Sequence, residues 1–183
     1  MRALIEAVRR DHRDIRDVVD ALCRVAAGLS EAPNPRDTER LRSMLHYLQV
    51  YLARYHHPKE HHLFAALRQV EPRFEPLLRE YEAQHGHGAA LLRELDADLA
   101  RYEGRTSGSR DALQRSARRY AAFHRTHLRH EENALRSLTR REIEALDRVA
   151  ASQPRRYVRP LHRQADIEVG FAALARNIAA PIR

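Results

Sequence analysis

The chain has 183 residues, of which 43% are apolar and 32% charged. That length suits one domain with a real core, and that balance excludes a disordered chain. The formal net charge is +8, but the arginines are spread along the chain and no nucleic-acid-binding motif accompanies them. The excess therefore reads as a solvated basic surface, and nucleic acid is not an expected partner.

A single cysteine, Cys23, excludes an internal disulfide and fits a reducing compartment. No segment approaches the roughly 20 uninterrupted apolar residues of a membrane span, and the first residues carry charges throughout. A soluble cytoplasmic protein without a membrane partner is expected. Six glycines, no alternating β-branched runs and an excess of Arg, Leu, Ala and Glu point to an all-α fold.

The first helix is predicted from Arg2 to Ala27. Leu4, Ile5, Val8, Ile15, Val18, Val19 and Leu22 recur at helical spacing before Gly28. SEAPNPRD, from Ser30 to Asp37, reads as a loop. The second helix is expected to start near Asp37 or Thr38 and reach Val70, with a bend where Pro58 cannot bond to Arg54. The third runs from about Pro72 to Tyr102 and the fourth from about Ser109 to Leu138. Thr139 with Glu142 forms a capping-box pattern that opens a short fifth helix. Residues 153–160 read as a linker, and 161–179 as a last amphipathic helix. Four long helices with short connections suggest an antiparallel up-down-up-down four-helix bundle over residues 1–140. Residues 141–183 then form a helical extension and basic tail, which either packs on the bundle or serves a homodimer contact.

The stretch YHHPKEHHLF, from Tyr55 to Phe64, concentrates four of the chain's 12 histidines. In an antiparallel bundle, residues equally far from a connecting turn share one height, because each residue rises about 1.5 Å. His12 lies about 16 residues before the first turn and His56 about 18 after it. His85 and His127 each lie about 18 residues from the third turn. His56 with Glu60, and His127 with Glu131, are spaced i, i+4 and so share a helix face. The sum is four imidazoles and two carboxylates at one level. That set suits a pair of transition-metal ions with bridging carboxylates and a position left open; iron, manganese and zinc all accept such ligands. His46, His62, His87 and His162 read as ordinary surface or core residues. His57, His61, His124 and His130 read first as solvated, otherwise as neighbours of the site or a weak further metal site. His57 is the reserve ligand if the bend at Pro58 rotates the face.

The order His, HxxxE, His, HxxxE resembles the bacterial hemerythrin-like, or HHE cation-binding, proteins. The resemblance is carried by DHRDIR (Asp11 to Arg16), HHPKE followed by LF (His56 to Phe64), YEAQHGHGAALLREL around His85, and HLRHEE (His127 to Glu132). It covers about residues 2 to 140. It implies a four-helix bundle holding a non-heme di-iron centre, with His12, His56, His85 and His127 as terminal ligands and Glu60 and Glu131 as bridges. One departure bears on function. The oxygen-carrying hemerythrins have an HxxxH pair on the third helix, whereas here Ala89 stands four residues after His85 and Tyr81 four before it. One fewer nitrogen ligand implies a more open iron. The expected role is binding of O2, NO or peroxide in sensing or in oxidative or nitrosative stress. The alternatives are a di-iron enzyme that decomposes peroxide or acts as an oxidase, and a regulatory module whose metal site is structural or vestigial.

Overall fold

Leu, Ile and Val at three- and four-residue spacing build the first helix as expected. In a computed structural model of the protein, which describes residues 1–152 and 170–180, α1 spans Arg2–Ala27. The other described elements are helical too: α2 (Pro35–Tyr51), α3 (His57–Val70), α4 (Glu75–Glu103), α5 (Ser109–Arg136), α6 (Arg140–Ser152) and α7 (170–179). No described helix is long and apolar enough to cross a membrane. The expected linker over 153–160, the stretch 161–169 and His162 lie outside the described residues.

Three boundaries differ from expectation for local reasons. α2 begins at Pro35 rather than at Asp37 or Thr38, because the Asn34 side chain accepts from the Arg36 backbone N–H at 3.0 Å and caps it. Proline at the first helical position has no orphan N–H to satisfy. The third predicted helix opens with a 3-10 turn over Pro72–Phe74 before α4 becomes regular. The helix predicted to end near Leu138 stops at Arg136.

The second predicted helix is unbroken from Pro35 to Val70 but not uniform in winding. Leu52–His56 forms a π-turn, and the His57 N–H bonds to the Leu52 carbonyl. Pro58 follows directly, with no N–H to give and a ring that crowds the preceding turn. A wider turn relieves that crowding without ending the rod. The widened turn therefore ends on His56 itself, the first member of the His56–Glu60 pair, and the regular helix resumes before Glu60.

α1 and α4 each lie against α2 and α5, so these four close around a shared interior. That interior has two apolar clusters. One gathers Ile15, Val18, Leu22, Leu48, Leu95 and Leu99. The other gathers Ile5, Val8, Leu63, Phe64, Leu78 and Leu135. Each such side chain contributes about 1.5–3 kcal/mol on burial. Between these clusters His12, His56 with Glu60, His85, and His127 with Glu131 break into the apolar interior.

α6 packs on α3 through Leu146, and the N-terminal ammonium donates to Asp147 at 2.7 Å. The predicted capping box is formed. The Glu142 N–H donates to Thr139 Oγ1 at 3.2 Å, and the Thr139 N–H donates to Glu142 Oε2 at 2.7 Å. Thr139→Ala is expected to cost about 1 kcal/mol in a urea melt, with an unchanged slope. α7 lies against α2: the Phe171 ring sits 5.3 Å from that of Tyr51 and 5.9 Å from that of Tyr47, and Arg40 donates to the Ile178 carbonyl at 3.0 Å.

Candidate metal centre

The polar layer is made by residues whose helices leave them nowhere else to point. Ile5, Val8, Ile15 and Val19 set the inward face of α1, and His12 falls on the same stripe. The i, i+4 pair at the junction of the π-turn with α3 and the pair on α5 are carried inward by Leu63 and Leu128 beside them. His85 follows Leu78 and Tyr81 on the buried face of α4. All six side chains chosen from spacing meet in one place, and four of them are at most 2% exposed apart from His85 and His127 on the side of a cavity.

The imidazoles divide into two pairs. His12 Nε2 and His56 Nε2 each lie 3.1 Å from Glu60 Oε1, and His12 Nε2 lies 3.5 Å from Glu131 Oε2. His85 Nε2 lies 3.2 Å from Glu60 Oε2 and 3.6 Å from Glu131 Oε1, which is 3.4 Å from His127 Nε2. Each carboxylate thus turns one oxygen toward each imidazole pair. Within these pairs the donor atoms of His12, His56, Glu60 and Glu131, and those of His85, His127 and Glu131, are close enough to hold an ion.

These atoms are poorly served by the protein alone. His56 Nε2, His85 Nε2, Glu60 Oε2 and both Glu131 oxygens are buried with no hydrogen-bond partner among the described residues. Buried polar atoms are nearly always satisfied. Lone pairs converging at 3.1 to 3.6 Å call for positive charge between them, so the donor set fits divalent metal. The protonation pattern shows the same frustration. Burial, reinforced by the neighbouring Glu60 anion, pushes the Glu131 carboxyl up to about 8. Burial opposes a charged His56, yet Glu60 and Asp11 outweigh it and raise His56 to about 10. Against the cost of burial, the charged His56 holds Glu60 well below the usual carboxylate range, so without metal one carboxylate of the layer is ionised and the other protonated.

The outer nitrogens are held. His56 Nδ1 lies 3.3 Å from Asp11 Oδ2, which also accepts from Lys59 Nζ at 2.7 Å, while the Tyr51 hydroxyl donates to Asp11 Oδ1 at 2.8 Å. His127 Nδ1 lies 2.8 Å from Gln84 Oε1. Such contacts fix the tautomer and aim Nε2 inward. Spacing had not singled out Asp11, Lys59, Tyr51 or Gln84. Two signals were available: Asp11 interrupts the apolar stripe of Val8 and Ile15, and Lys59 is the chain's one lysine.

The remaining histidines separate. His46, His61, His87 and His130 are exposed. His57 does not replace His56; its ring stacks on that of His85 at 3.9 Å, and with Glu60 and His85 it forms a third group of clustered donors. Tyr81 is packed core, with its ring 6.0 Å from Phe64 and 6.2 Å from His127. His124 corrects the expectation of a solvated side chain: it is 3% exposed, and burial pushes it down to about 3. His124, His127 and Glu131 are spaced i, i+3, i+7, which was the signal that it shares their face. A cavity of about 220 Å³ opens beside His85 and His127 and is lined also by Leu48, Leu52, Ala89 and His124.

The profile of the Hemerythrin HHE cation binding domain matches residues 3–138, a span that contains all six side chains of the layer. No curated protein and no solved structure matches the chain.

Proposed function

The chain belongs to the hemerythrin HHE cation-binding family, and from that premise we propose that it holds two iron ions in the polar layer and binds O2, NO or peroxide there. The observation that carries this reading is the division of each carboxylate between two imidazole pairs. His12 and His56 would hold one ion and His85 and His127 the other, with Glu60 and Glu131 offering an oxygen to each. The pair of ions supplies a Lewis-acidic, redox-active centre for a small oxygen or nitrogen donor.

The chain's own residues do the rest. Asp11 and Gln84 hold the outer nitrogens of His56 and His127, so their inner lone pairs stay aimed at the layer. The apolar clusters on either side keep bulk water out. Ala89, where an oxygen carrier has its extra histidine, leaves the side of His85 and His127 facing the cavity. Residues 1–140 form the up-down-up-down antiparallel bundle in this reading, and 141–183 the extension.

The testing experiment is iron content per chain after growth with iron, followed by near-ultraviolet spectra before and after O2, NO and peroxide. About two irons per chain and charge-transfer bands that move with these ligands are expected. Stoichiometric iron with no spectral response would sink the ligand-binding reading, and zinc or no metal would sink the iron reading. Asp11→Asn is expected to keep the fold and weaken metal affinity about 10–100-fold in a competition titration with a chelator.

A further inference from the structure

Three features of the cavity beside His85 and His127 are not explained by a diatomic ligand. The first is size. Its volume is about 220 Å³, whereas one water occupies about 30 Å³ of liquid and an apolar cavity of about 150 Å³ already holds benzene. The second is its wall. Leu48, Leu52, Leu92 and Phe123 line it, and its one charged residue, Arg93, is exposed. The third is His124, which lines the cavity at 3% exposure with neither ring nitrogen partnered among the described residues.

His124 belongs to none of the clustered donor groups, so the metal reading leaves it unused. A neutral imidazole carries one N–H donor and one acceptor, and leaving both without partners in a core costs about 1–3 kcal/mol per group. The chain keeps His124 there by a close approach. A Cβ built on Gly88 would stand 2.9 Å from Phe123 Cε1 and 3.4 Å from His124 Nε2, so glycine lets α5 bring both rings over α4. His124, His85 and His127 gather there: the His127 ring is 6.1 Å from His124 and 5.2 Å from His85. Ala53, in the π-turn, and Ala89 are small and exposed, and they leave a way in from solvent. The π-turn thus also shapes one wall.

We infer that this cavity takes a neutral organic molecule of the alkyl hydroperoxide class, with the apolar body against the leucines and the hydroperoxide end hydrogen-bonded to His124. The inference deepens the proposed function and rests on it only for what the oxygen end faces. A hydroperoxide suits both needs: it is uncharged, and its O–O–H end both donates and accepts toward His124 while an oxygen remains to face His85 and His127.

The test uses the full chain loaded with zinc, which binds ligands without redox turnover, titrated with cumene hydroperoxide and with cumene by NMR. Saturable binding of both is expected. Ala89→Phe, which blocks the opening, should weaken both at least tenfold. His124→Leu should weaken the hydroperoxide about tenfold, the value of one hydrogen bond, and leave cumene unchanged. Absence of saturable hydroperoxide binding, or equal binding by wild type and both variants, overturns the inference. Metal content is read on the same samples. Metal without organic binding removes this inference alone. Organic binding that survives in protein unable to hold metal supports the chamber and removes the proposed metal function instead.

Discussion

Glu60→Ala purified from iron-supplemented cells is expected to carry almost no iron, against about two per chain for the wild type. Glu60 is the carboxylate most closely engaged with both imidazole pairs, with Oε1 3.1 Å from His12 and His56 and Oε2 3.2 Å from His85. In the proposed centre its loss would remove one oxygen ligand from each ion and one of the two carboxylates that offset their charge. A deletion on one helix therefore empties both positions, not one. His130→Ala, an exposed histidine on α5, is the control and should retain full iron. The variant should still fold. In the protein without metal, Glu60 is the anion that His12, His56 and His85 face at 3.1 to 3.2 Å, so its loss strips a buried, charged His56 of one of its counter-charges. Metal-free Glu60→Ala is therefore expected to keep its helix signal and to melt below metal-free wild type. Full iron retention by the variant would remove Glu60 from the site.

Stripping the metal with a chelator is expected to lower the melting temperature by roughly 10–20 °C. Each ion present at a hundredfold above its dissociation constant contributes about 2.7 kcal/mol, so two contribute roughly 5. One kcal/mol moves the midpoint of a chain this size by about 2–4 °C. The structural reason is the unsatisfied layer: His85 Nε2, Glu60 Oε2 and both Glu131 oxygens have no hydrogen-bond partner among the described residues. The same effect has a pH dependence of definite sign. Bound metal competes with protons, so it depresses the folded-state pKa of its imidazoles and carboxylates below their unfolded values. The added stability is present above those unfolded values and is lost as pH falls, through roughly pH 6 to 4 at moderate metal concentration. Melts of loaded and stripped protein should converge at the acid end. A chelator that leaves the melting temperature unchanged at pH 7 would contradict the prediction.

How much of this was legible before folding depends on the distance over which each feature is specified. The helices of α1, α4 and α5 were readable because their apolar residues recur at the helical period and breakers stand between them. The start of α2 was missed although Asn34-Pro35 is a local cap signal, because SEAPNPRD holds several breakers and the cap sits inside it. The six side chains of the layer were readable because spacing of four residues sets a common face and a rise of about 1.5 Å per residue sets a common height. Both are properties of a rigid rod, and they survive without knowledge of what the rod packs against.

Pro58 announced a disturbance but not its form; the structure accommodates it with a π-turn over Leu52–His56. Tyr51 of α2, Lys59 of α3 and His56 all meet at Asp11 of α1, and no spacing within one helix encodes that meeting. His124 and His130 both flank His127 in sequence, yet one is buried in a cavity wall and the other faces solvent. Periodicity along the chain determined which residues of this protein belong to the polar layer. The supports of that layer and the chamber beside it were decided only by tertiary packing, because they depend on how closely one helix approaches another, and that distance is set by residues far apart in sequence, such as Gly88, which lacks a side chain, and Phe123, whose ring fills the space.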